Sequence, residues 1–423
     1  MDNNSINKET KAGAQCPASG PVSPMAAKLC SPSGASYYVF LVLMLVALSA
    51  LGSFVNDMYS PALPGMCKFF GCNVPLAQLG LTMGMAGLGI GQLLLGPISD
   101  KIGRKPALIG ATGLFIVAAL VSTLSPSIHV FNLCRFFQGM GASSGYFLAK
   151  TIPADVYGGR ALAKLMALVG AINGLAPAVA PVAGGVVADA WGWKAIFFVL
   201  AGFAAIVILL SLHMKESLPV SARSKGSIWA SIGGYGTLLC NGRFMTHCLL
   251  KAFALGMLFS YVSSAPFIAQ THYGLTQTQY GLCVGVISLF AGGGSVISLK
   301  FKPYKKAAFV GSLVMAVGVA FLTVSLLAVE NLWFYFGCMA VIMFGAGMIF
   351  ATSNTLAMNE GRGHSGEAAA VIGVTGYIVG GIASPLVGIG NFMHSTAIVS
   401  IVITAIVLLF AWLSKRIPAD LGE

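Results

Sequence analysis

The chain carries the stretch GPISDKIGRKPAL at residues 96–108, a short charged segment with a long apolar run on each side. An apolar run of about 20 residues is long enough to cross the hydrocarbon core of a bilayer. Gly96 precedes the charges and Gly103 lies among them, and glycine allows the backbone conformations that a tight reversal needs. The stretch therefore predicts a charged turn between two membrane-spanning helices.

Composition indicates a membrane protein independently of this stretch. Of the 423 residues, 57% are hydrophobic and only 9% are charged, and the mean hydropathy is +0.86. Soluble domains carry about 25% charged residues. A soluble protein this apolar could not cover its surface with polar groups, whereas a helix bundle in lipid has no such need.

Apolar runs of similar length recur along the chain and predict twelve spans. We place them at 36–57, 76–97, 107–125, 129–150, 162–187, 194–213, 243–268, 278–299, 307–329, 332–356, 366–390 and 395–414.

The placement of basic residues tests this topology. With both termini in the cytoplasm, 20 of the 24 Lys and Arg residues fall on the cytoplasmic side. Only Lys68 and Lys194 fall outside, while Arg135 and Lys251 lie within spans. Such asymmetry is what the positive-inside rule predicts. The basic residues behind the net charge of +12 therefore orient the protein in the membrane and contact anionic lipids. We expect no nucleic acid as a partner.

Polar intervals divide the chain into two predicted bundles. Residues 1–35 are polar and read as a disordered cytoplasmic tail, and 214–242 read as a central cytoplasmic loop. The six-helix bundles are then 36–213 and 243–414, followed by a cytoplasmic tail at 415–423. KPALIGATGLFIVAAL at 105–120 resembles KKAAFVGSLVMAVGVAF at 305–321, which suggests an internal duplication.

The opening stretch resembles the loop between spans 2 and 3 of major facilitator transporters, whose pattern is roughly G-x-x-x-D-[RK]-x-G-R-[RK]. The matching residues are Gly96, Asp100, Lys101, Gly103, Arg104 and Lys105. The resemblance implies an all-α membrane protein with the major facilitator fold, twelve transmembrane helices in two six-helix bundles. It also implies a conformational latch at the inner side, in which Asp100 faces the N-terminus of span 11 and Arg104 or Lys101 pairs with Asp155.

The run GAINGLAPAVAPVAGG at residues 170–185 predicts a kinked helix with a smooth face, because proline removes a helix hydrogen bond and glycine lets backbones approach. It resembles the span-5 antiporter motif, G-x-x-x-G-P-x-x-G-G, although Ala176 and an extra proline interrupt the pattern. The residues concerned are Gly170, Gly174, Pro177, Pro181, Gly184 and Gly185. The alternative is a kinked helix without directional meaning.

Asp57 is the one acid that we place inside a span, in the segment SFVNDMYSPALPGM. This segment resembles the first-span signature of the Bcr/CflA drug-resistance subfamily. An acid inside the membrane costs about 2.5–3.5 kcal/mol on insertion scales, so its presence calls for a reason. A low dielectric favours the neutral carboxyl, which makes reversible proton binding feasible. The alternative is a solvated acid at the outer mouth or a helix cap.

Arg135, in NLCRFFQGMGASSG, resembles the subfamily's span-4 pattern, and the resemblance implies a role beside the proton step. The alternative is a buried arginine that binds backbone carbonyls between helices. Lys251 either reaches back toward the cytoplasm or points into the cavity, where it would favour an anionic or zwitterionic substrate.

Family resemblance places a substrate cavity between the two bundles. Its candidate lining residues, besides Lys251, are Met58, Tyr59, Tyr146, Asn173, Tyr261, Phe267, Asn354 and Tyr377. Aromatic and methionine side chains suit varied lipophilic ligands, but they also pack helices together.

Enzyme chemistry finds no support in the sequence. The nine cysteines form no metal pattern, although Cys67 and Cys72 share an outer loop where a disulfide is possible. Walker, HExxH and GxSxG motifs are absent, so we expect no cofactor, no metal and no ATP-driven pumping.

The sequence thus predicts a proton-coupled secondary exporter, a drug:H+ antiporter that works by alternating access. We expect a multi-pass protein of the bacterial inner membrane, a monomer whose partners are protons and a small lipophilic substrate. One alternative is an exporter of an endogenous metabolite such as an amino acid or peptide. A non-transporting receptor or a channel is the other.

Overall fold

The computed structural model describes residues 32–223, 233–361 and 365–417. Most of the predicted N-terminal tail, residues 224–232 of the predicted central loop, and the end of the C-terminal tail lie outside the described residues. Within the described ranges the regular elements are all helical.

Fourteen α-helices follow one another in these ranges. They are α1 (Pro32–Asp57), α2 (Leu63–Phe70), α3 (Val74–Ile102), α4 (Arg104–Thr123), α5 (Ile128–Val156), α6 (Gly159–Trp191), α7 (Trp193–His213), α8 (Gly233–Cys240), α9 (Gly242–Pro266), α10 (Gln277–Ser298), α11 (Tyr304–Leu327), α12 (Leu332–Glu360), α13 (Ser365–Leu386) and α14 (Phe392–Arg416). Short 3₁₀ turns lie at Ser60–Ala62 and Val220–Ala222, and a π-helical turn at Phe267–His272 follows α9.

Eleven helical stretches of the described chain are long and apolar enough to cross a membrane. Their bounds agree with eleven of the predicted spans to within a few residues, apart from the first stretch, which runs on through α2 to Phe70. The remaining predicted span corresponds to α5, which has 29 residues but carries Asn132, Arg135 and Gln138 and is correspondingly more polar. For this helix the span stays a prediction.

The predicted turn at residues 96–108 is shorter than the sequence indicated. Helix α3 continues to Ile102 and α4 begins at Arg104, so only Gly103 separates them. Its φ of 106° lies where L side chains are strained, and an added Cβ would come within 2.5 Å of the Glu216 carboxylate. A single glycine therefore makes the reversal, where the sequence predicts a longer charged turn.

The helices pack in the same scheme twice. In the first half, α3 and α4 both pack on α5, α4 packs on α7, and α1 packs on α5 and α6. In the second half, α10 and α11 both pack on α12, α11 packs on α14, and α9 packs on α12 and α13. Two further pairs, α6 with α10 and α3 with α13, join the halves.

The two halves meet most closely at one end of the molecule. We call this the far end, marked by Asp189 and Gln277, and we call the end with Gly103 and Glu216 the motif end. At the far end a Cβ on Gly185 would collide with the Gln277 carbonyl, and one on Gly281 with the Pro181 carbonyl. Small residues here let the α6 and α10 backbones touch.

Hydrogen bonds across the interface lie between the far end and the middle of the molecule. Gln78 Nε2 donates to Ser263 O at 3.0 Å, and Thr82 Oγ1 donates to Gly381 O at 2.8 Å. Toward the motif end, by contrast, Gly170 and Gly174 face open space. The described chain is therefore closed at the far end and open toward the motif end.

Candidate functional site

Several side chains are surrounded by protein atoms and are nevertheless partly exposed to solvent. Such side chains indicate a water-accessible cavity. Asp57, Tyr146, Lys251 and Tyr377 have this character. They come from α1, α5, α9 and α13, which belong to both halves. The site is thus built between the halves, on the side that opens to the motif end.

Asp57 is the last residue of α1, just before the 3₁₀ turn Ser60–Ala62. Its side chain is partly buried, and no donor or cation among the described residues pairs with its carboxylate. Three tyrosines lie near enough to interact with its charge: Tyr146, Tyr280 and Tyr377. An unpaired acid in such a place changes the local charge by a full unit when it binds a proton.

Arg135 is fully buried, and its contacts are with neutral groups. Its guanidinium donates to Val55 O and Asn56 Oδ1, both at 2.8 Å, and to Gln138 Oε1 at 2.5 Å. It also lies 4.2 Å from the centre of the Tyr59 ring, a cation–π contact. The structure thus shows Arg135 binding the end of α1 without contacting Asp57, and its role beside the proton step stays a prediction.

Gly84 makes room for this arginine. A Cβ at that position would come within 2.6 Å of Asn56 Oδ1 and 3.0 Å of Arg135 Nη2. The glycine spacing on α3 therefore serves the buried arginine as well as helix packing.

A polar cluster joins α1, the helix of Asp57, to α5 and α6. Asn173 Oδ1 accepts hydrogen bonds from Ser49 Oγ at 2.8 Å and from Ser53 Oγ at 3.2 Å, and Tyr146 Oη donates to Ser53 Oγ at 3.3 Å. The Tyr146 and Tyr377 rings lie 6.4 Å apart across the two halves. Three predicted binding residues are thus brought together.

Ser49 and Ser53 were missed by the sequence reasoning. They precede Asp57 at steps of four, a spacing that places all three on one face of α1. That spacing was the signal that could have found them.

Lys251 points between helices of its own half. Its Nζ donates to Asn354 Oδ1 at 2.7 Å, which joins two of the predicted binding residues. Lys150, from the other half, lies close enough for the two ammonium charges to interact. An orientation of Lys251 into a substrate cavity stays a prediction.

Four other predicted binding residues are packed in the core in this conformation. The exposed fractions are 3% for Met58, 0% for Tyr59, 2% for Tyr261 and 4% for Phe267. Aromatic and methionine side chains pack helices as readily as they line cavities, and here packing accounts for them.

The charged residues of the opening stretch form a cluster within the first half. Arg104 donates to Asp155 at 2.9 Å, to Ser99 at 2.7 Å and to Asp100 at 2.5 Å. Of the two predicted partners for Asp155, Arg104 is the one observed. For Asp100 the described partner is Arg104, and a contact with the N-terminus of span 11 stays a prediction.

Glu216 is a further member that the sequence did not reveal. Its carboxylate accepts from the backbone N–H groups of Arg104 at 2.8 Å and of Lys105 at 3.2 Å. An acid there complements the free donors and the dipole at the start of α4. Lys105 Nζ donates to Leu212 O at 2.6 Å, while Lys101 is exposed.

The two ends of the glycine–proline run on α6 have different surroundings. Gly170 and Gly174 face open space, whereas Gly184 and Gly185 pack tightly, and Pro177 O accepts from Ser288 Oγ at 3.1 Å. The run therefore spans the boundary between the closed and open parts of the interface.

Cys67 and Cys72 are free thiols whose sulfur atoms lie 4.0 Å apart. In the described part of the chain, no cluster of His, Cys, Asp or Glu could hold a metal ion.

The family model described as Major Facilitator Superfamily matches residues 42–385. The chain belongs to this family. Major Facilitator Superfamily proteins are transporters rather than enzymes, and this one is an integral, multi-pass protein of the bacterial inner membrane.

Individual relatives agree with this assignment. The uncharacterized MFS-type transporter YdgK of Bacillus subtilis (strain 168) is 34% identical over 374 residues, 85% of this chain and 93% of the relative. Multidrug resistance protein D of Escherichia coli (strain K12) is 26% identical over 358 residues, 82% of this chain and 88% of the relative. Among solved structures, the xylose transporter XylE from E. coli superposes with a TM-score of 0.73 at 14% identity, covering 92% and 99% of the two chains. This chain and XylE therefore share the Major Facilitator Superfamily fold.

Proposed function

We propose that this chain is a proton-coupled secondary exporter, a drug:H+ antiporter of the Major Facilitator Superfamily. The observation that carries the proposal is Asp57, an acid deep in the cavity with no partner among the described residues. The relative named multidrug resistance protein D supports the substrate class.

Proton coupling follows from the electrostatics of this acid. A carboxylate held away from bulk water favours its neutral form unless a cation or a donor compensates it. A substrate group that supplies this compensation favours the ionised acid, so substrate and proton compete for Asp57. Binding of one then releases the other, which is the exchange that an antiporter needs.

Alternating access follows from the division of the interface. The halves touch at the far end through small residues on α6 and α10, and they separate toward the motif end. Rocking about the middle would open the far end and close the motif end around the same site. The charged cluster around Arg104 lies where it would latch the motif end when that end closes.

One observation favours the second candidate, an exporter of an amino acid, a peptide or a similar endogenous metabolite. The Lys251 ammonium is bound to the neutral amide of Asn354 and lies near the Lys150 charge of the other half, so we place it in the cavity. A cationic lipophilic drug gains nothing from a cation there, whereas a carboxylate does.

Transport by purified protein in proteoliposomes tests the proposal. We expect an inwardly directed proton gradient to drive uphill export from a panel of lipophilic drugs, amino acids and dipeptides. Asp57→Asn should lower this proton-driven flux at least tenfold, because the amide cannot exchange a proton. The matched control is Glu330→Gln, an exposed acid between α11 and α12. Undiminished uphill export by Asp57→Asn would overturn the coupling role.

A further inference from the structure

The cavity carries opposite charges at its two ends. Asp57 lies toward the closed far end, at the C-terminus of α1, and Lys150 and Lys251 lie toward the open motif end, late in α5 and in the first half of α9. The two lysines come from opposite halves of the molecule, and their charges interact.

Several polar side chains lie between the two ends. The charge of Asp57 reaches Tyr146 and Tyr377, whose rings are 6.4 Å apart. Tyr146 and Lys150 are four residues apart on α5 and so share a helix face. Lys150 lies near Lys251, which donates to Asn354. From the far end to the motif end, the groups are therefore a carboxyl group, two phenols, two ammonium groups and an amide.

Neither lysine is compensated by an acid of the described chain. The ion pairs there involve Arg104 and Arg223, and the one acid of the cavity is at its other end. Two like charges inside a protein repel each other more strongly than in water. Closing the motif end would bring the halves, and hence the lysines, closer together, so an anion between them would favour closure.

We propose that the cavity binds a zwitterionic substrate, with its acidic group between Lys150 and Lys251 and its amino group toward Asp57. The apolar body would lie against Tyr146 and Tyr377. The inference rests on the proposed export function and names its substrate class. It also explains competition with protons, because the amino group of the substrate and the proton would use the same carboxylate.

Equilibrium binding of one matched series tests this assignment. The probes are 6-(aminomethyl)-2-naphthoic acid, its amide, its N-acetyl derivative and its N-acetyl amide, which share one body and differ only in charge. The rigid ring holds the ammonium and the carboxylate at opposite ends of the molecule. With the purified full chain at constant pH, we expect aminomethylnaphthoic acid to bind at least tenfold more tightly than the amide or the N-acetyl derivative.

Variants then assign each charge to its end of the cavity. In Lys150→Gln and in Lys251→Gln, the advantage of aminomethylnaphthoic acid over its amide should fall at least fivefold. In Asp57→Asn, its advantage over the N-acetyl derivative should fall by a similar factor. Lys300→Gln, an exposed lysine after α10, is the matched control and should bind all four probes as the wild type does.

The proposal is overturned if the amide or the N-acetyl amide binds as tightly as aminomethylnaphthoic acid, or if aminomethylnaphthoic acid does not bind. Unchanged charge preferences in the lysine variants would also overturn it. Repeating the measurement in nanodiscs of phosphatidylcholine, with and without phosphatidylglycerol, separates substrate from lipid. Lysine-dependent binding in phosphatidylcholine alone supports the substrate site, whereas lysine dependence seen only with phosphatidylglycerol assigns the lysines to a lipid headgroup and overturns it.

The binding assay needs no proton gradient, so its result is independent of the proposal of proton coupling. Charge-selective binding together with proton-independent transport would refute only the antiport. Proton-driven transport without charge-selective binding would refute only the zwitterion site.

Discussion

At the scale of single residues, Arg135 and Asp57 are two ionisable side chains inside the first half with different surroundings. Arg135 stays ionised and is held by Val55, Asn56 and Gln138, whereas Asp57, two residues beyond Val55, has no partner among the described residues. The arginine is thus a fixed structural charge, and the acid is the group free to change its charge. The difference lies in the partners, which the sequence does not display.

Replacing Arg135 by methionine should destabilise the fold. The Val55 carbonyl and the Asn56 amide would lose their donors inside the protein, at a cost on the order of 2–4 kcal/mol. Thermal unfolding of the detergent-purified protein measures this, with the exposed Arg160→Met as the control. An unchanged melting temperature together with lost proton-driven export would contradict the structural role and support a direct part in the proton step.

At the scale of helices, Asp189 at the end of α6 fastens the first turn of α10 across the interface. Its carboxylate accepts from the backbone N–H groups of Gln277 at 3.3 Å and Thr278 at 2.8 Å, and from Thr278 Oγ1 at 2.6 Å. Gln270 Nε2 adds a bond to Pro61 O at 2.7 Å. These few bonds at the far end would have to break before the far end could open.

Removing the Asp189 carboxylate should therefore loosen the far end. In Asp189→Ala the amides of Gln277 and Thr278 lose an acceptor, and their hydrogen exchange should accelerate about tenfold, as expected for the loss of roughly one hydrogen bond's net stabilisation. Hydrogen–deuterium exchange with mass spectrometry of the peptide around 277–283 reports this, with Glu330→Ala as the matched control. Equal exchange in the two variants would show that these bonds do not hold the far end closed.

Helix positions were predictable because a bilayer demands apolar runs of fixed length. The sequence accordingly located the ends of α7 and α10 to within one residue. It overestimated the turn at 96–108, because the positive φ of Gly103 reverses the chain within one residue.

The lining of the cavity was predictable only in part. Tyr146 and Tyr377 face the cavity whereas Tyr261 and Phe267 are buried in the core, although all four are aromatic residues in apolar helices. In a membrane bundle the lipid-facing surface is as apolar as the core, so hydrophobic periodicity does not tell the faces apart. Exposed Val117 and Phe321 illustrate the point, since nothing in their type distinguishes them from core residues.

At the scale of the whole molecule, two halves with one packing scheme enclose a site that is closed at the far end and open at the motif end. Such a site can work as an antiporter only if its two ligands are thermodynamically linked. Linkage is reciprocal, so a substrate gradient must drive protons just as a proton gradient drives substrate.

Substrate-driven proton movement is therefore the most direct test of the central claim. Proteoliposomes containing a pH-sensitive dye are loaded with the panel compound that the proton gradient exports best, and are then diluted. We predict that lumenal pH falls as the compound leaves the wild-type and Glu330→Gln vesicles, and stays constant in Asp57→Asn vesicles. Efflux from wild-type vesicles with unchanged or rising lumenal pH would contradict proton antiport through Asp57.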